Sequence, residues 1–128
     1  FIKLTKELNC KKQIINISSG AATNPYSGWS VYCTSKAALD MTTRTIATEQ
    51  NEVKNGVKCV AIYPGVVDTN MQAAIRKTSE KEFKNVQRFK ELKENNELYS
   101  PKFVADKIYQ IDIKNQLESG DIVDIRKF

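Results

Sequence analysis

The strongest constraint on the fold of this chain is an alternation of strand-like and helix-like segments. Three short apolar runs have the composition of strands, and they are Gln13–Ser18 (QIINIS), Val57–Tyr63 (VKCVAIY) and Gly120–Ile125. Ser18 and Pro64 interrupt the first two runs with residues typical of strand ends. Strands separated by helices pair in parallel through right-handed crossovers. The sequence therefore predicts an α/β fold with a parallel sheet, the first strand being buried.

Four helices are expected around these strands. The serine residues Ser27 and Ser30 are both candidate N-caps for the long second helix. Ser100 followed by Pro101 is typical of a helix start, with serine as the cap and proline in the first turn. The predicted helical segments are Phe1 to Leu8, Ser30 to about Gln50, Asn70 to Leu98 and Pro101 to about Ile113. In the third, Phe83, Val86, Phe89 and Leu92 form an apolar stripe.

Charge and cysteine content exclude several classes of function. The 128 residues carry a formal net charge of +5, but lysines alternate with glutamates in KEFKNVQRFKELKENNE, which indicates a solvated helix rather than a nucleic-acid site. Cys10, Cys33 and Cys59 form no C-x-x-C pair and the chain has no histidine, so we expect no metal site. Scattered cysteines favour the reducing cytoplasm. No apolar run is long enough to span a membrane, so we expect no membrane partner.

One serine and a Tyr-x-x-x-Lys pair carry most of the functional information. Ser19 precedes Tyr32 by thirteen positions, and Lys36 lies four residues after Tyr32. Positions four apart on a helix share a face, so the phenol and the ammonium can meet one reacting atom. Ser19 follows a predicted strand, and ligands of open α/β sheets bind beyond the carboxyl ends of strands. The alternative is that the Tyr–Lys spacing arises by chance, as on many helices.

The chemistry suited to this trio is carbonyl reduction. A ketone that accepts hydride becomes an alkoxide and needs a proton donor at its oxygen. A free tyrosine has a pKa of about 10, and a neighbouring ammonium favours its phenolate form. A serine hydroxyl can hold the carbonyl oxygen where negative charge develops. Hydride must come from a cofactor, because no side chain donates one.

Two segments carry a resemblance to a known family, and they are IINISSGAATNPYSGWSVYCTSKAALDM and, after it, VAIYPGVVDTNMQ. Together they resemble the C-terminal half of a short-chain dehydrogenase/reductase. The most similar branch is that of the sepiapterin and benzil reductases. The resemblance extends from about Lys3 to Arg126 and implies a Rossmann-type doubly wound parallel sheet, of which this chain is the second half. It also implies NAD(P)H-dependent reduction of a small-molecule ketone, diketone or pterin side chain, with NADP favoured over NAD.

The resemblance also assigns catalytic and cofactor-binding roles. It implies that Ser19 orients the substrate, that Tyr32 is the general acid/base, and that Lys36 acidifies the tyrosine. Tyr32 and Lys36 also belong to the cofactor site, where the lysine binds the nicotinamide ribose. The loop after the second strand is implied to contact the cofactor through Pro64, Gly65, Val67 and Thr69. Gly65 also suits this place because a residue without Cβ lets backbone approach a ligand closely.

Substrate-binding residues beyond Ser19 are implied less directly. Met71 and Asp124 match positions that line the pterin pocket of sepiapterin reductases, with Asp124 as the anchor. The alternatives are a packing role for Met71 and a solvated strand end for Asp124. Tyr26 and Trp29 are candidates for the wall of an aromatic substrate pocket or for ordinary core.

A departure from the family pattern concerns the nucleotide-binding half. The glycines at positions 20, 28, 56, 65 and 120 form no glycine-rich turn of the kind that cradles a pyrophosphate. We therefore expect residues 1–128 to be a single partial domain, the catalytic and substrate-binding half of an enzyme, inactive alone. The rival hypothesis is a non-catalytic remnant that binds another protein through its open sheet edge.

Two further expectations follow from the resemblance. The family's usual homodimer packs the helix ending near Leu8 and the helix carrying Tyr32 against a partner. The charged segment from Asn70 to Leu98 lies where these reductases place a lid over the substrate, and weakly packed polar helices can open at low cost. The alternative for that segment is a solvated helix pair without a gating role.

Overall fold

The computed structural model describes all of residues 1–128, which form three strands and five α-helices. In chain order the elements are α1 (Ile2–Thr5), β1 (Gln13–Ile17), α2 (Ser30–Gln50), β2 (Lys58–Tyr63), α3 (Asn70–Lys77), α4 (Val86–Glu94), α5 (Pro101–Ile113) and β3 (Ile122–Asp124). Short 3₁₀ turns follow β1 at Gly20–Ala22 and β3 at Ile125–Lys127.

The three strands form one parallel sheet in the order β1-β2-β3. Ile17 pairs with Ile62, and Ala61 pairs with Ile122, so the carboxyl ends of all three strands meet at one edge. The α/β fold and the parallel pairing predicted from the sequence are confirmed.

Helices cover both faces of the sheet. On one face Val60 and Ile62 of β2 pack with Val104 and Ile111 of α5 in the main apolar core, which Ile125 completes. Side chains alternate between faces along a strand, so Cys59 and Ala61 point to the other side, against α2. There the Asn16 amide of β1 donates to Thr43 Oγ1 of α2 over 2.9 Å and contacts Cys59 Sγ at 3.8 Å.

The bounds of α2 and α5 agree with the sequence prediction. The Ser100 hydroxyl accepts from the Phe103 amide over 3.1 Å and caps α5, as predicted. The prediction of a serine cap for α2 was wrong, because Trp29 occupies the cap position without a side-chain hydrogen bond. Ser30 is already the first helical residue. The first helix is also shorter than predicted, since only Ile2–Thr5 is helical.

The charged segment after β2 is two helices rather than one. Residue Thr78 has extended backbone, and the Glu82 carboxylate then accepts from the Ser79 amide (3.3 Å) and hydroxyl (2.8 Å) to build a separate turn. The second helix of the pair stops early because Asn96 adopts a left-handed φ of 56°. The Glu97 amide then bonds back to Leu92 O at 2.8 Å, closing the helix end.

The first strand is half-buried rather than buried, and Ile17 is 46 % exposed. The reason is its position at the edge of the sheet. The Ser18 amide donates to Ile62 O of β2, and Lys12 O accepts from Lys58 N. Alternate residues of a parallel strand bond to the same neighbour, so the backbone groups of Gln13, Ile15 and Ile17 point away from β2.

Candidate active site

A cleft of about 520 Å³ opens at the carboxyl ends of the three strands. Its lining combines the end of β1, the loop after β2, the end of β3 and side chains from α2 to α5. All eleven residues singled out in the sequence line this one cleft, namely Ser19, Tyr26, Trp29, Tyr32, Lys36, Pro64, Gly65, Val67, Thr69, Met71 and Asp124. The fold therefore brings together residues that lie up to 105 positions apart, as from Ser19 to Asp124.

Tyr32 and Lys36 lie on the face of α2 that is turned toward the cleft. Both side chains are half-buried, and Lys36 Nζ is 5.7 Å from the centre of the Tyr32 ring. The ammonium donates a hydrogen bond to Ile17 O over 2.9 Å. This bond ties α2 to the end of β1, and a lysine ammonium has three donors, so two remain for a ligand.

Ser19 stands across the cleft, two residues after β1. Its backbone is extended (φ −159°, ψ 151°), and its Oγ caps the following 3₁₀ turn by accepting from the Ala21 amide over 3.1 Å. The bond uses a lone pair of the hydroxyl oxygen, so the O–H remains a donor toward a ligand. Ser19 therefore has a fixed position, and its hydroxyl hydrogen is available for donation to a ligand.

The loop after β2 is held in place by the segment that precedes α5. The Tyr99 amide donates to Val66 O (3.0 Å), and Tyr99 O accepts from the Asp68 amide (2.9 Å). Gly65 has a φ of 72°, and a Cβ there would lie 2.8 Å from the Tyr99 ring. The close approach that requires a glycine at position 65 is therefore to the Tyr99 side chain. Thr69 caps α3 by accepting from the Gln72 amide over 3.4 Å.

An aromatic cluster closes one side of the cleft. The Trp29 indole stacks on Phe83 and meets the Tyr32 ring edge-on, with centroids 5.3 Å apart at 75°. Tyr26 and Phe89 complete the cluster around Trp29. Tyr26 and Trp29 pack against the buried Phe83, Val86 and Phe89 and also line the cleft. Their contact with an aromatic substrate stays a prediction.

Three of the four predicted stripe residues, Phe83, Val86 and Phe89, form the buried cluster against Tyr26 and Trp29 in this wall of the cleft. Leu92 is half-buried and lies outside that cluster. Asp68 links this wall to the loop after β2. Its carboxylate accepts from Lys93 Nζ of α4 over 2.7 Å, and Arg76 of α3 lies 4.0 Å away. The hydrogen bond from Lys93 lowers the pKa of Asp68. Met71 at the start of α3 lines the cleft with its side chain half exposed.

Asp124 is the last residue of β3, and its carboxylate is bound by Arg126 two positions later. Asp124 Oδ1 accepts from the Arg126 backbone amide (2.9 Å) and from Nε (2.8 Å). Asp124 Oδ2 accepts from Nε (3.0 Å) and from Nη2. These hydrogen bonds hold the pKa of Asp124 below its usual range. The carboxylate lines the cleft as half of an ion pair, and its role as a substrate anchor stays a prediction.

Sequence reasoning missed a hydrogen-bonded pair beside the catalytic candidates. The Tyr63 phenol at the end of β2 donates to Asp40 of α2, which is buried. Burial, together with this hydrogen bond, raises the pKa of Tyr63 to about 12. Asp40 follows Lys36 by four residues on the same helix face, and this spacing was a signal in the sequence. The bond joins the helix carrying Tyr32 to the strand that leads into Pro64.

Arg126 and Arg88 were also missed, and both line the cleft. Arg126 lies in the sequence Asp-Ile-Arg, where a spacing of two residues suits a turn in which a carboxylate binds its own backbone and a neighbouring side chain. No comparable local signal points to Arg88, because its place at the cleft depends on how α4 packs against α3 and the aromatic cluster.

Comparison with known proteins agrees with the fold. The sequence model of the family described as short chain dehydrogenase matches residues 6–80, more than half of the chain. The protein belongs to the short-chain dehydrogenase family. Oxidoreductases of this family use nicotinamide cofactors.

Individual relatives identify the branch. The chain is 49 % identical over 125 residues to a benzil reductase ((S)-benzoin forming) of Bacillus cereus, covering 98 % of this chain and 50 % of the relative. It is 38 % identical over 114 residues to the sepiapterin reductase of Meriones unguiculatus, covering 88 % of this chain and 41 % of the relative. The predicted resemblance to the benzil and sepiapterin reductase branch is confirmed.

A solved structure gives the same result for the fold. The KRED1-Pglu enzyme superposes with a TM-score of 0.75 at 34 % identity, covering 87 % of this chain and 46 % of that enzyme. The chain thus spans about half the length of the relatives it matches. No helix of the structure combines the length and apolar character needed to cross a membrane.

Proposed function

We propose that residues 1–128 form the catalytic and substrate-binding half of an NADPH-dependent carbonyl reductase. The observation that carries this proposal is the meeting of Ser19, Tyr32 and Lys36 around one cleft at the carboxyl ends of parallel strands. The benzil and sepiapterin reductases among the relatives support a ketone, a diketone or the side chain of a pterin as substrate. NADPH rather than NADH is proposed on the resemblance to this branch.

The residues present fit the nicotinamide end of such a cofactor. Lys36 retains two donors for ribose hydroxyls, and the loop from Pro64 to Thr69 lies beside Tyr32 and Lys36 in the same lining. The bound nicotinamide would supply hydride to the carbonyl carbon. No glycine-rich turn occurs at a junction of strand and helix in residues 1–128, so we assign the pyrophosphate to a preceding half.

Three side chains of this chain would act on the substrate oxygen. The Ser19 hydroxyl donates a hydrogen bond to the carbonyl oxygen and fixes its position. The Tyr32 phenol donates its proton to the same oxygen as the carbon–oxygen π bond is reduced, which leaves a phenolate and an alcohol. The Lys36 ammonium stabilises that phenolate, and a proton from solvent restores the phenol for the next cycle.

The open edge of β1 supports the assignment of a second half. The backbone groups of Gln13, Ile15 and Ile17 point away from β2 and suit pairing with another strand. In the proposed enzyme this strand belongs to the nucleotide-binding half. The same edge favours the second candidate function, a non-catalytic module that binds another protein by strand addition.

A homodimer and a cytoplasmic location complete the proposal. The exposed side of α2 carries two large apolar side chains, Val31 at 82 % and Met41 at 59 % exposure, among small and polar residues. Exposed apolar residues along one helix face suit a symmetric contact with a second copy. Cys10, Cys33 and Cys59 are all free thiols, which suits a reducing compartment.

The test of the proposed function is a reductase assay on the protein joined to a nucleotide-binding half. With benzil as substrate, we expect NADPH oxidation coupled to formation of benzoin in equal amounts. A folded protein that binds NADPH but oxidises none of it with benzil, other ketones or sepiapterin would refute the proposal and favour the binding module.

A further inference from the structure

We propose that Arg126 determines the substrate class of this cleft by binding the carboxylate of Asp124, so that the site favours a diketone over a pterin. A diketone such as benzil offers hydrogen-bond acceptors and aryl rings. The head group of a pterin such as sepiapterin carries N–H donors that need a free carboxylate. The inference rests on the proposed function, since it concerns the substrate of the same cleft.

The first support is that Arg126 already binds both oxygens of the Asp124 carboxylate. A carboxylate has about four lone-pair sites. The amide, Nε and Nη2 of Arg126 together make four contacts with the two oxygens of Asp124. A ligand with N–H donors would have to displace the guanidinium, which is held by charge-assisted hydrogen bonds.

The second support is the relative exposure of the two side chains. The Asp124 side chain is 14 % exposed and that of Arg126 is 59 % exposed. A ligand entering the cleft therefore meets the guanidinium before the carboxylate. Guanidinium groups donate hydrogen bonds and accept none, so this end of the cleft suits a carbonyl oxygen.

The third support is the charge of the whole lining. The only carboxylate among the lining residues is Asp124, whereas Lys36, Arg88 and Arg126 are cations. The remaining wall includes Trp29, Ile75 and Phe89, which suits the rings of an aromatic ketone. The cleft thus combines cationic donors with apolar surface, and its one carboxylate is already bound by Arg126.

Binding of benzil and sepiapterin to wild type and to Arg126→Ala tests the inference. Trp29 is the only tryptophan of the 128 residues and lines the cleft, so quenching of its fluorescence reports occupancy. Without reduced cofactor no turnover occurs. We expect Arg126→Ala to tighten sepiapterin binding relative to benzil by about ten-fold or more, the effect of one new charge-assisted hydrogen bond.

Three further variants control this measurement. Lys127→Ala removes a neighbouring exposed cation outside the cleft and should leave the ratio of the two affinities unchanged. Arg126→Lys keeps the positive charge but loses the paired hydrogen bonds of the guanidinium. It should change the ratio of the two affinities less than Arg126→Ala does. Adding Asp124→Asn to Arg126→Ala should abolish the gain for sepiapterin. Melting curves establish that each variant is folded.

An unchanged affinity ratio in folded Arg126→Ala, or a gain that survives Asp124→Asn, would overturn the inference. Neither result bears on reductase activity, because ligand preference is measured without chemistry. Conversely, an enzyme that fails to oxidise NADPH while showing the expected shift in ratio would refute the proposed function and leave the assignment of Arg126 standing.

Discussion

The Trp29 indole and the Phe83 ring lie parallel, with centroids 4.4 Å apart and planes inclined by 2°. Trp29 is the residue before α2, which carries Tyr32, and Phe83 belongs to the turn between α3 and α4. The stack is therefore a direct contact between the helix that carries Tyr32 and the wall that closes one side of the cleft. It also explains why a tryptophan occupies the cap position of α2.

Substitution Phe83→Ala should remove this contact. Phe83 is 2 % exposed, and truncation of a buried phenylalanine costs about 3–5 kcal/mol of unfolding free energy. Urea denaturation measures the loss, and Trp29 emission should shift to longer wavelength as the indole becomes solvated. Phe103→Ala is the matched control, because Phe103 is 43 % exposed and should cost much less. Equal losses in the two variants would contradict the role of the stack.

A second contact joins the same two regions through a glycine. Gly28 has a φ of 86°, and a Cβ there would lie 2.5 Å from Glu82 O. Gly28→Ala should therefore destabilise the protein by more than the roughly 1–2 kcal/mol that a left-handed conformation costs an ordinary residue. In Gly20→Ala the new Cβ would meet its nearest atom at 3.9 Å, so this variant should melt near wild type. Similar melting temperatures for the two variants would show that Gly28 is not constrained.

The Tyr63–Asp40 pair predicts a pH dependence at the alkaline end. Folding raises the pKa of Tyr63 to about 12, above the value of about 10 of an unfolded tyrosine. Its contribution to stability is therefore complete below about pH 10 and is lost as the pH rises from there toward 12. Tyr63→Phe should flatten the fall of the melting temperature in this window relative to wild type. A phenolate absorbance titration should show a late component near pH 12 in wild type that the variant lacks; identical titrations would be inconsistent with the pair.

The proposed dimer predicts that charge on the outer face of α2 separates the subunits. Val31→Glu should convert the protein from dimer to monomer in light scattering coupled to size-exclusion chromatography. Ile113→Glu introduces the same charge at an exposed apolar position of α5 and should remain dimeric. A dimer that persists in Val31→Glu would exclude this face as the contact.

The start of α5 could be predicted because its signal is local. Ser100 and Pro101 start α5 through a hydrogen bond and a fixed backbone angle that involve only neighbouring residues. The break between α3 and α4 had a local signal too, in Ser79-x-x-Glu82, which is the pattern of a capping box. The helical periodicity of the charged segment hid it. The left-handed Asn96 then ended α4 before Leu98.

Side-chain placement at the cleft depended on more than local signals. The sequence order of serine, tyrosine and lysine, together with the rule for strand ends, predicted which residues would meet there. The Asp124–Arg126 pair and the Tyr63–Asp40 bond depend on side-chain rotamers and on how two elements pack, which spacing alone does not determine. The half-burial of β1 likewise depends on which strands lie beside it in space.

The central claim is that Tyr32 protonates the reduced carbonyl oxygen, and Tyr32→Phe tests it most directly. The variant keeps the ring that packs against Trp29 and loses only the hydroxyl. In the protein joined to a nucleotide-binding half, NADPH oxidation with benzil should fall by about 10²–10⁴-fold, the usual contribution of general acid catalysis. Tyr109→Phe, on an exposed tyrosine of α5, should match wild type. Turnover by Tyr32→Phe at the wild-type rate would contradict the assignment of the catalytic acid.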